Sequence, residues 1–122
     1  MTTFNFGDGK GEVPAHKHPN GGGWVANTAL VDETAYVGPN ARVTDHAQVR
    51  DHAQVRECAQ VRECAQVMGY AQVRDRAKVI GCAKVSGCAK VSGWARLMGC
   101  ARVSGYAEIS GDTLVSGAAI IN

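Results

Sequence analysis

The sequence predicts an all-β fold, a triangular parallel β-solenoid, from two observations. The first is a six-residue period: alanine recurs from Ala29 onward, replaced once by Thr113, and an aliphatic residue follows two positions later, from Val31 to Ile121. This register runs for sixteen steps without an insertion or a deletion. The second is alternation, because residues two apart in an extended strand point to the same side. The alanines and aliphatic residues are therefore predicted to face inward, and the residues between them outward.

Each six-residue repeat is predicted to form one wall of the solenoid. A glycine or an acidic residue stands two positions after most of the aliphatic residues, where the chain must bend. Three short strands joined by tight corners close a coil of 18 residues, and successive coils stack about 4.8 Å apart. Residues 23–122 thus give about five to six coils, stabilised by stacking on their neighbours and by a continuous hydrogen-bond ladder.

The two ends of the chain depart from this pattern in different ways. Residues 1–22 do not follow the register and contain Phe4 and Phe6, so we expect them to form a cap segment over the first coil. The last residues, "AAIIN", are apolar and include no capping helix. We expect a partner, or a second solenoid, to cover the strand edges there.

Composition limits the function classes. The net charge of +2 in 122 residues makes nucleic acid an unlikely partner. The sequence has neither a signal peptide nor an apolar run of membrane length, so we expect no membrane partner. Five cysteines without a CxxC pair favour free thiols in a reducing compartment. These observations predict a single-domain cytoplasmic protein.

The repeats resemble a known family. The hexads "AKVSGC", "AKVSGW" and "ARVSGY" are similar to those of hexapeptide-repeat proteins, the left-handed parallel β-helices related to bacterial acyltransferases. The preceding "GGGWVANTALV" resembles short repeat proteins of bacteria and their phages. The resemblance covers about residues 23–122 and implies a left-handed solenoid and a homotrimer. It says little about function, because this fold carries many activities.

Two outward columns follow from the 18-residue offset between coils. Glutamine occupies the strand centres from residue 48 to residue 72, and stacked amides strengthen parallel strands. Lysine and arginine occupy the same position in the later coils and spread over all three faces. This basic surface is interpreted either as ordinary solvated surface charge or as a surface that attracts anions. The residues are Gln48, Gln54, Gln60, Gln66 and Gln72, then Lys78, Lys84, Lys90, Arg96 and Arg102.

A second column places arginine directly before an acidic residue at four corners. These pairs are Arg50–Asp51, Arg56–Glu57, Arg62–Glu63 and Arg74–Asp75. We expect the two columns to satisfy each other as weak surface ion pairs. Arg56 stacks directly under Arg74, however, and this like-charge contact requires either an acid or a ligand.

The corner positions concentrate the chemically active side chains. One corner stacks His46, Cys64, Cys82 and Cys100, and the three thiols lie within possible disulfide range. We expect cysteines at such corners to be small, half-buried hydrophobic residues. A straight column does not converge on one point, so no metal site and no other cofactor are predicted.

Two enzyme classes of the related fold are disfavoured. Zinc-dependent carbonic anhydrases of this class pair histidines five residues apart, whereas His46 and His52 are six apart and lie on different corners. The related acyltransferases usually carry a projecting loop and a C-terminal segment that binds coenzyme A, and neither is present in this sequence. We therefore assign no catalytic residue and favour a non-enzyme.

Two functions remain. The first is a rigid oligomeric scaffold or assembly module, favoured by the unbroken register. The second is a protein that binds, or binds and sequesters, a small anionic ligand such as a nucleotide in the grooves between subunits. Aromatic faces beside arginines are how bases and phosphates are held, although the aromatic residues would equally suit a trimer interface. The predicted ligand-binding residues are Arg56, Tyr70, Arg74, Arg76, Trp94 and Tyr106.

Overall fold

The computed structural model describes residues 2–6 and 11–121, and these contain strands, turns and bends only. No helix in this part of the chain is long and apolar enough to cross a membrane.

The first three strands are β1 (Thr3–Asn5), β2 (Glu12–Lys17) and β3 (Trp24–Ala26). From β4 onward, strands of two residues recur at intervals of six residues. They are β4 (Leu30–Val31), β5 (Tyr36–Val37), β6 (Arg42–Val43), β7 (Gln48–Val49), β8 (Gln54–Val55), β9 (Gln60–Val61), β10 (Gln66–Val67), β11 (Gln72–Val73), β12 (Lys78–Val79), β13 (Lys84–Val85), β14 (Lys90–Val91), β15 (Arg96–Leu97), β16 (Arg102–Val103), β17 (Glu108–Ile109), β18 (Leu114–Val115) and β19 (Ile120–Ile121).

These strands form three parallel sheets, the faces of a β-solenoid of about five turns. The first face consists of β3, β6, β9, β12, β15 and β18, the second of β4, β7, β10, β13, β16 and β19, and the third of β5, β8, β11, β14 and β17. Strands paired in a sheet are offset by 18 residues, as Gln66 and Lys84 show. The predicted all-β solenoid with 18-residue coils is confirmed.

The interior is a narrow column of small apolar side chains. Each inward alanine, valine or leucine from Ala35 to Val103 is at most 1 % exposed. The outward residue between each such pair is half-buried or exposed. The alternation predicted from strand geometry therefore sorts the chain into an inner and an outer side.

The corners turn through a left-handed backbone conformation two residues after the valine. Here Asp45, Asp51 and Asp75 have φ values of 59° to 60°, and Glu57 and Glu63 adopt the same region. The conformation costs a non-glycine residue about 1–2 kcal/mol. The aspartates offset part of this cost, because their carboxylates accept backbone N–H groups one coil further on, at 3.2 Å from Glu63, 3.1 Å from Gly69 and 2.9 Å from Gly93. These aspartates therefore extend the ladder between coils.

The N-terminal segment lies against the first coil on two sides. Strands β1 and β2 continue the first face as antiparallel strands, and Phe4 stacks on Trp24 at 4.6 Å between ring centroids. On the third face, the backbone N–H of Val37 donates to the carbonyl of Asn20 at 3.1 Å. The division into a cap of residues 1–22 and a solenoid of residues 23–122 stays a prediction.

Candidate anion-binding face

The third face places several of the predicted residues in outward rows. A corner residue, the strand centre and the residue after the valine are two apart, so all three point outward. Two successive coils give the rows His52–Gln54–Arg56 and Tyr70–Gln72–Arg74. We call these six residues the third-face rows.

Side-chain contacts tie the third-face rows together. The His52 and Tyr70 rings stack with centroids 5.3 Å apart and an interplanar angle of 12°. The strand centres Gln54 and Gln72 are register partners. Arg56 Nη1 donates to Gln54 Oε1 at 3.1 Å. The rows thus combine a stacked ring pair, an amide pair and an arginine column on one surface.

The arginines of the third-face rows are not paired with the acids beside them. Within residues 2–6 and 11–121, neither Arg56 nor Arg74 forms an ion pair with Glu57 or Asp75; Arg56 instead bonds Gln54. The Asp75 carboxylate is directed to the N–H of Gly93. The predicted Arg–acid pairing is therefore wrong at this corner, because the left-handed bend turns the acid toward the next coil. Arg56 and Arg74 thus occupy the same position in successive coils, and neither forms an ion pair with an acid among the residues that the structure describes.

The same correction holds at the other corners where the pairing was predicted. Arg50 Nη1 donates to Gln48 Oε1 at 3.4 Å, while the Asp51 carboxylate accepts the N–H of Gly69. In the described chain, Arg62 and Glu63 likewise form no ion pair. Arg50 and Arg56 thus turn along the strand toward the glutamine column, while the Asp51 and Asp75 carboxylates turn along the solenoid axis.

Arg76 and Trp94 meet across the adjoining corner, at the start of the first face. The Arg76 Cζ atom lies 4.8 Å from the centroid of the Trp94 ring, a cation–π contact. They line an open groove with Glu57, Cys58, Asp75 and Gly93. Trp94 is 55 % exposed, so much of its ring remains accessible to another aromatic group.

The six predicted ligand-binding residues therefore fall into two groups and one outlier. Arg56, Tyr70 and Arg74 share the third face, while Arg76 and Trp94 share the groove. Tyr106 lies two coils from Tyr70 on the same corner, with Cys88 between them, and is 85 % exposed. The third-face rows also contain His52, Gln54 and Gln72, which were not among the predicted ligand-binding residues. The 18-residue offset from Tyr70 identifies His52, and each glutamine lies two residues before a predicted arginine.

A second groove, on the first face near the N-terminus, contains Arg42 beside Phe4 and Trp24. Arg42 Nη1 donates to the carbonyl of Phe6 at 3.2 Å, and its Cζ lies 5.2 Å from the Phe4 ring centroid. This cation is held by the N-terminal segment. We therefore assign Arg42 a structural role and place the candidate site on the third face.

The cysteines differ from the prediction. All five are free thiols, and Cys58, Cys64, Cys82 and Cys100 are exposed, with only Cys88 half-buried. The predicted half-buried role is wrong for those four, because the corner residue projects from the outside of the left-handed bend. Exposed thiols are available for chemistry that buried ones are not.

No protein-family model, no curated protein and no solved structure matches this chain. The parallel β-solenoid follows from the structure, whereas membership in the hexapeptide-repeat family stays a prediction.

Proposed function

We propose that this protein binds a small anionic ligand with a planar base, of the nucleotide class, on the third face and the adjoining groove. The observation that supports this most is that Arg56 and Arg74 occupy the same position in successive coils, with no ion pair to Glu57 or Asp75, beside the His52–Tyr70 ring pair. Successive strands lie about 4.8 Å apart, so the arginines of neighbouring coils repel each other. A phosphate bound between them would replace that repulsion with charge-assisted hydrogen bonds.

The aromatic residues supply the second half of the recognition. A base that stacks on an exposed ring contributes about 1–3 kcal/mol to binding, and both Tyr70 and Trp94 offer accessible faces. Gln54 and Gln72 lie between the rings and the arginines and can hydrogen-bond the edge of a base or a ribose hydroxyl. Phosphate and base would thus contact different columns of the third face and the adjoining groove.

We further propose that the chain is a cytoplasmic hexapeptide-repeat protein that works as a homotrimer. The family resemblance of the hexads supports this proposal, as do the exposed aromatic corners, since exposed apolar side chains often mark interfaces between proteins. Association of three solenoids side by side would turn the open groove of Arg76 and Trp94 into a narrower cleft. The ligand would then lie between subunits, where water is partly excluded.

The arginine column provides the test of ligand binding. We expect the double variant R56A/R74A to weaken binding of adenosine monophosphate or inorganic pyrophosphate by at least about 100-fold, since two charge-assisted contacts are removed. Isothermal titration calorimetry measures the dissociation constants. R50A/R62A is the matched control, because it removes two arginines from the same repeat position on other corners. Wild-type affinity in R56A/R74A, or an equal loss in the control, would contradict this site.

A rigid scaffold or assembly module is the second candidate function. The unbroken ladder from β3 to β19 favours it, together with the exposed side chains of Leu30, Trp94 and Tyr106, which such a module would pack against other copies. Native mass spectrometry separates the two functions. In a scaffold, W94S/Y106S should lower the oligomeric state while R56A/R74A leaves it intact, and no small molecule should be retained.

A further inference from the structure

One corner of the solenoid carries a straight column of three thiols. Cys64, Cys82 and Cys100 occupy the same position in three successive coils, and we call them the cysteine ladder. Their backbone N–H groups donate to carbonyls one coil further on, at 2.9 Å to Gly81 and 2.7 Å to both Gly99 and Gly117. The ladder therefore repeats with the spacing of the coils, about 4.8 Å, and all three side chains are exposed.

The thiols of neighbouring coils act on each other. The Cys100 thiol raises the pKa of Cys82 above its ordinary value, with smaller contributions from desolvation, Cys64 and Glu63. A hydrogen bond between the Cys82 and Cys100 side chains acts in the same direction. Cys82 thus has a sulfur neighbour on each side along the column.

This arrangement restricts the kind of ion that the column could bind. Among the described residues, no group of three or more histidine, cysteine, aspartate or glutamate side chains converges to hold a metal ion, which disfavours a tetrahedral zinc site. A linear site needs only two opposed sulfurs. With the zinc–sulfur length of about 2.3 Å as a guide, two metal–sulfur bonds placed end to end span roughly 4.6 Å, close to the coil spacing. Soft thiolate ligands favour Cu(I), zinc and iron–sulfur clusters, and of these Cu(I) is the one that two opposed thiolates can hold in a linear site.

We propose that the cysteine ladder binds a soft monovalent cation, Cu(I), in a linear site between Cys82 and one neighbouring cysteine. Binding forms two metal–sulfur bonds and releases two protons, so the bound pair of thiolates and the cation carry a net charge of −1. No electron is transferred. The site lies on the corner between the first and second faces and is independent of the proposed anion-binding face.

Cys82 is the shared member of both possible pairs. Serine in place of Cys64 or Cys100 leaves one intact pair, whereas serine in place of Cys82 leaves two thiols separated by about twice the strand spacing. The chain also contains its own control, because Cys58 and Cys88 have no cysteine one coil away. Both belong to the other two corners.

The test is a titration of the reduced protein with Cu(I) under anaerobic conditions, in competition with bicinchoninate, with native mass spectrometry for stoichiometry. We expect wild type, C64S and C100S each to bind Cu(I), and C82S to lose at least about 100-fold in affinity because no adjacent pair remains. C58S/C88S should bind as wild type does. Wild-type affinity in C82S, or an equal loss in C58S/C88S, overturns the proposal. Circular dichroism of each variant confirms that the solenoid is intact.

The pH dependence gives a second, independent readout. Because two thiol protons leave when the thiolates bind the cation, protonation competes with Cu(I). We expect affinity to rise from pH 6 to pH 8, by up to about 100-fold per pH unit for two released protons. An affinity independent of pH over this range would show that thiolates are not the ligands and would overturn the site.

Discussion

Replacing Gly93 by alanine is expected to lower the free energy of unfolding by about 2–4 kcal/mol. Gly93 has a φ of +68°, and a Cβ built on it would lie 2.8 Å from the backbone N and 3.1 Å from the carbonyl O of Gly111. The next coil cannot easily move away, because Trp94 N donates to this same carbonyl at 2.8 Å. The variant therefore combines left-handed strain with a shift of the hydrogen-bond ladder. Urea unfolding measures the loss.

Two companion variants separate these contributions. Gly111 has a nearly identical φ of +67°, and a Cβ there would meet no atom within 4 Å, so G111A should cost only the strain of about 1–2 kcal/mol. G93D should recover about 1 kcal/mol relative to G93A. Its carboxylate can accept the N–H of Gly111, as Asp75 accepts that of Gly93 at 2.9 Å. An equal loss in G93A and G111A would show that the corners are not tightly stacked.

The solenoid itself was predictable from the sequence, because its interior depends on one simple property of extended chains. Side chains two apart share a side, so a strict Ala–Val alternation can be buried in only one way. A repeat in which another aliphatic residue takes the place of valine follows the same rule, since Leu97 is fully buried. The backbone conformation at the corners was harder to predict from the sequence. Glycine at Gly69 or Gly87 indicates a bend, but only the structure shows that Asp51 and Glu57 adopt the same left-handed backbone.

The sequence predicted which residues of the candidate site occupy the same column, but it did not predict the contacts that their side chains make. The 18-residue offset correctly placed Arg56 beside Arg74 and Arg76 beside Trp94. It could not show that the arginines avoid the adjacent acids, because that outcome depends on where a left-handed residue directs its side chain. The carboxylates of Asp51 and Asp75 accept backbone N–H groups of the next coil, a contact that comparing adjacent residues in the sequence does not reveal. The stacking of His52 on Tyr70 likewise depends on side-chain rotamers.

Replacing Ala71 by leucine is the second large effect that we expect, a loss of about 2–4 kcal/mol in the free energy of unfolding. Ala71 is fully buried, and Ala53 and Ala89 occupy the same position in the coils on either side. The interior is filled by alanine and valine from three walls at once. A leucine there must displace a wall of its own coil, and the displacement would pass to the neighbouring coils through the ladder.

The matched control is Q72L, which introduces the same side chain one residue later on the outer side of the same strand. Gln72 is a register partner of Gln54 and Lys90, so this variant should change stability by no more than about 0.5 kcal/mol. Urea unfolding of both variants compares the two sides of one wall. A loss in A71L as small as that in Q72L would mean that the interior has room to adapt. If A71L alone is costly, the interior cannot admit a larger side chain, and any ligand must bind outside, on the faces and corners.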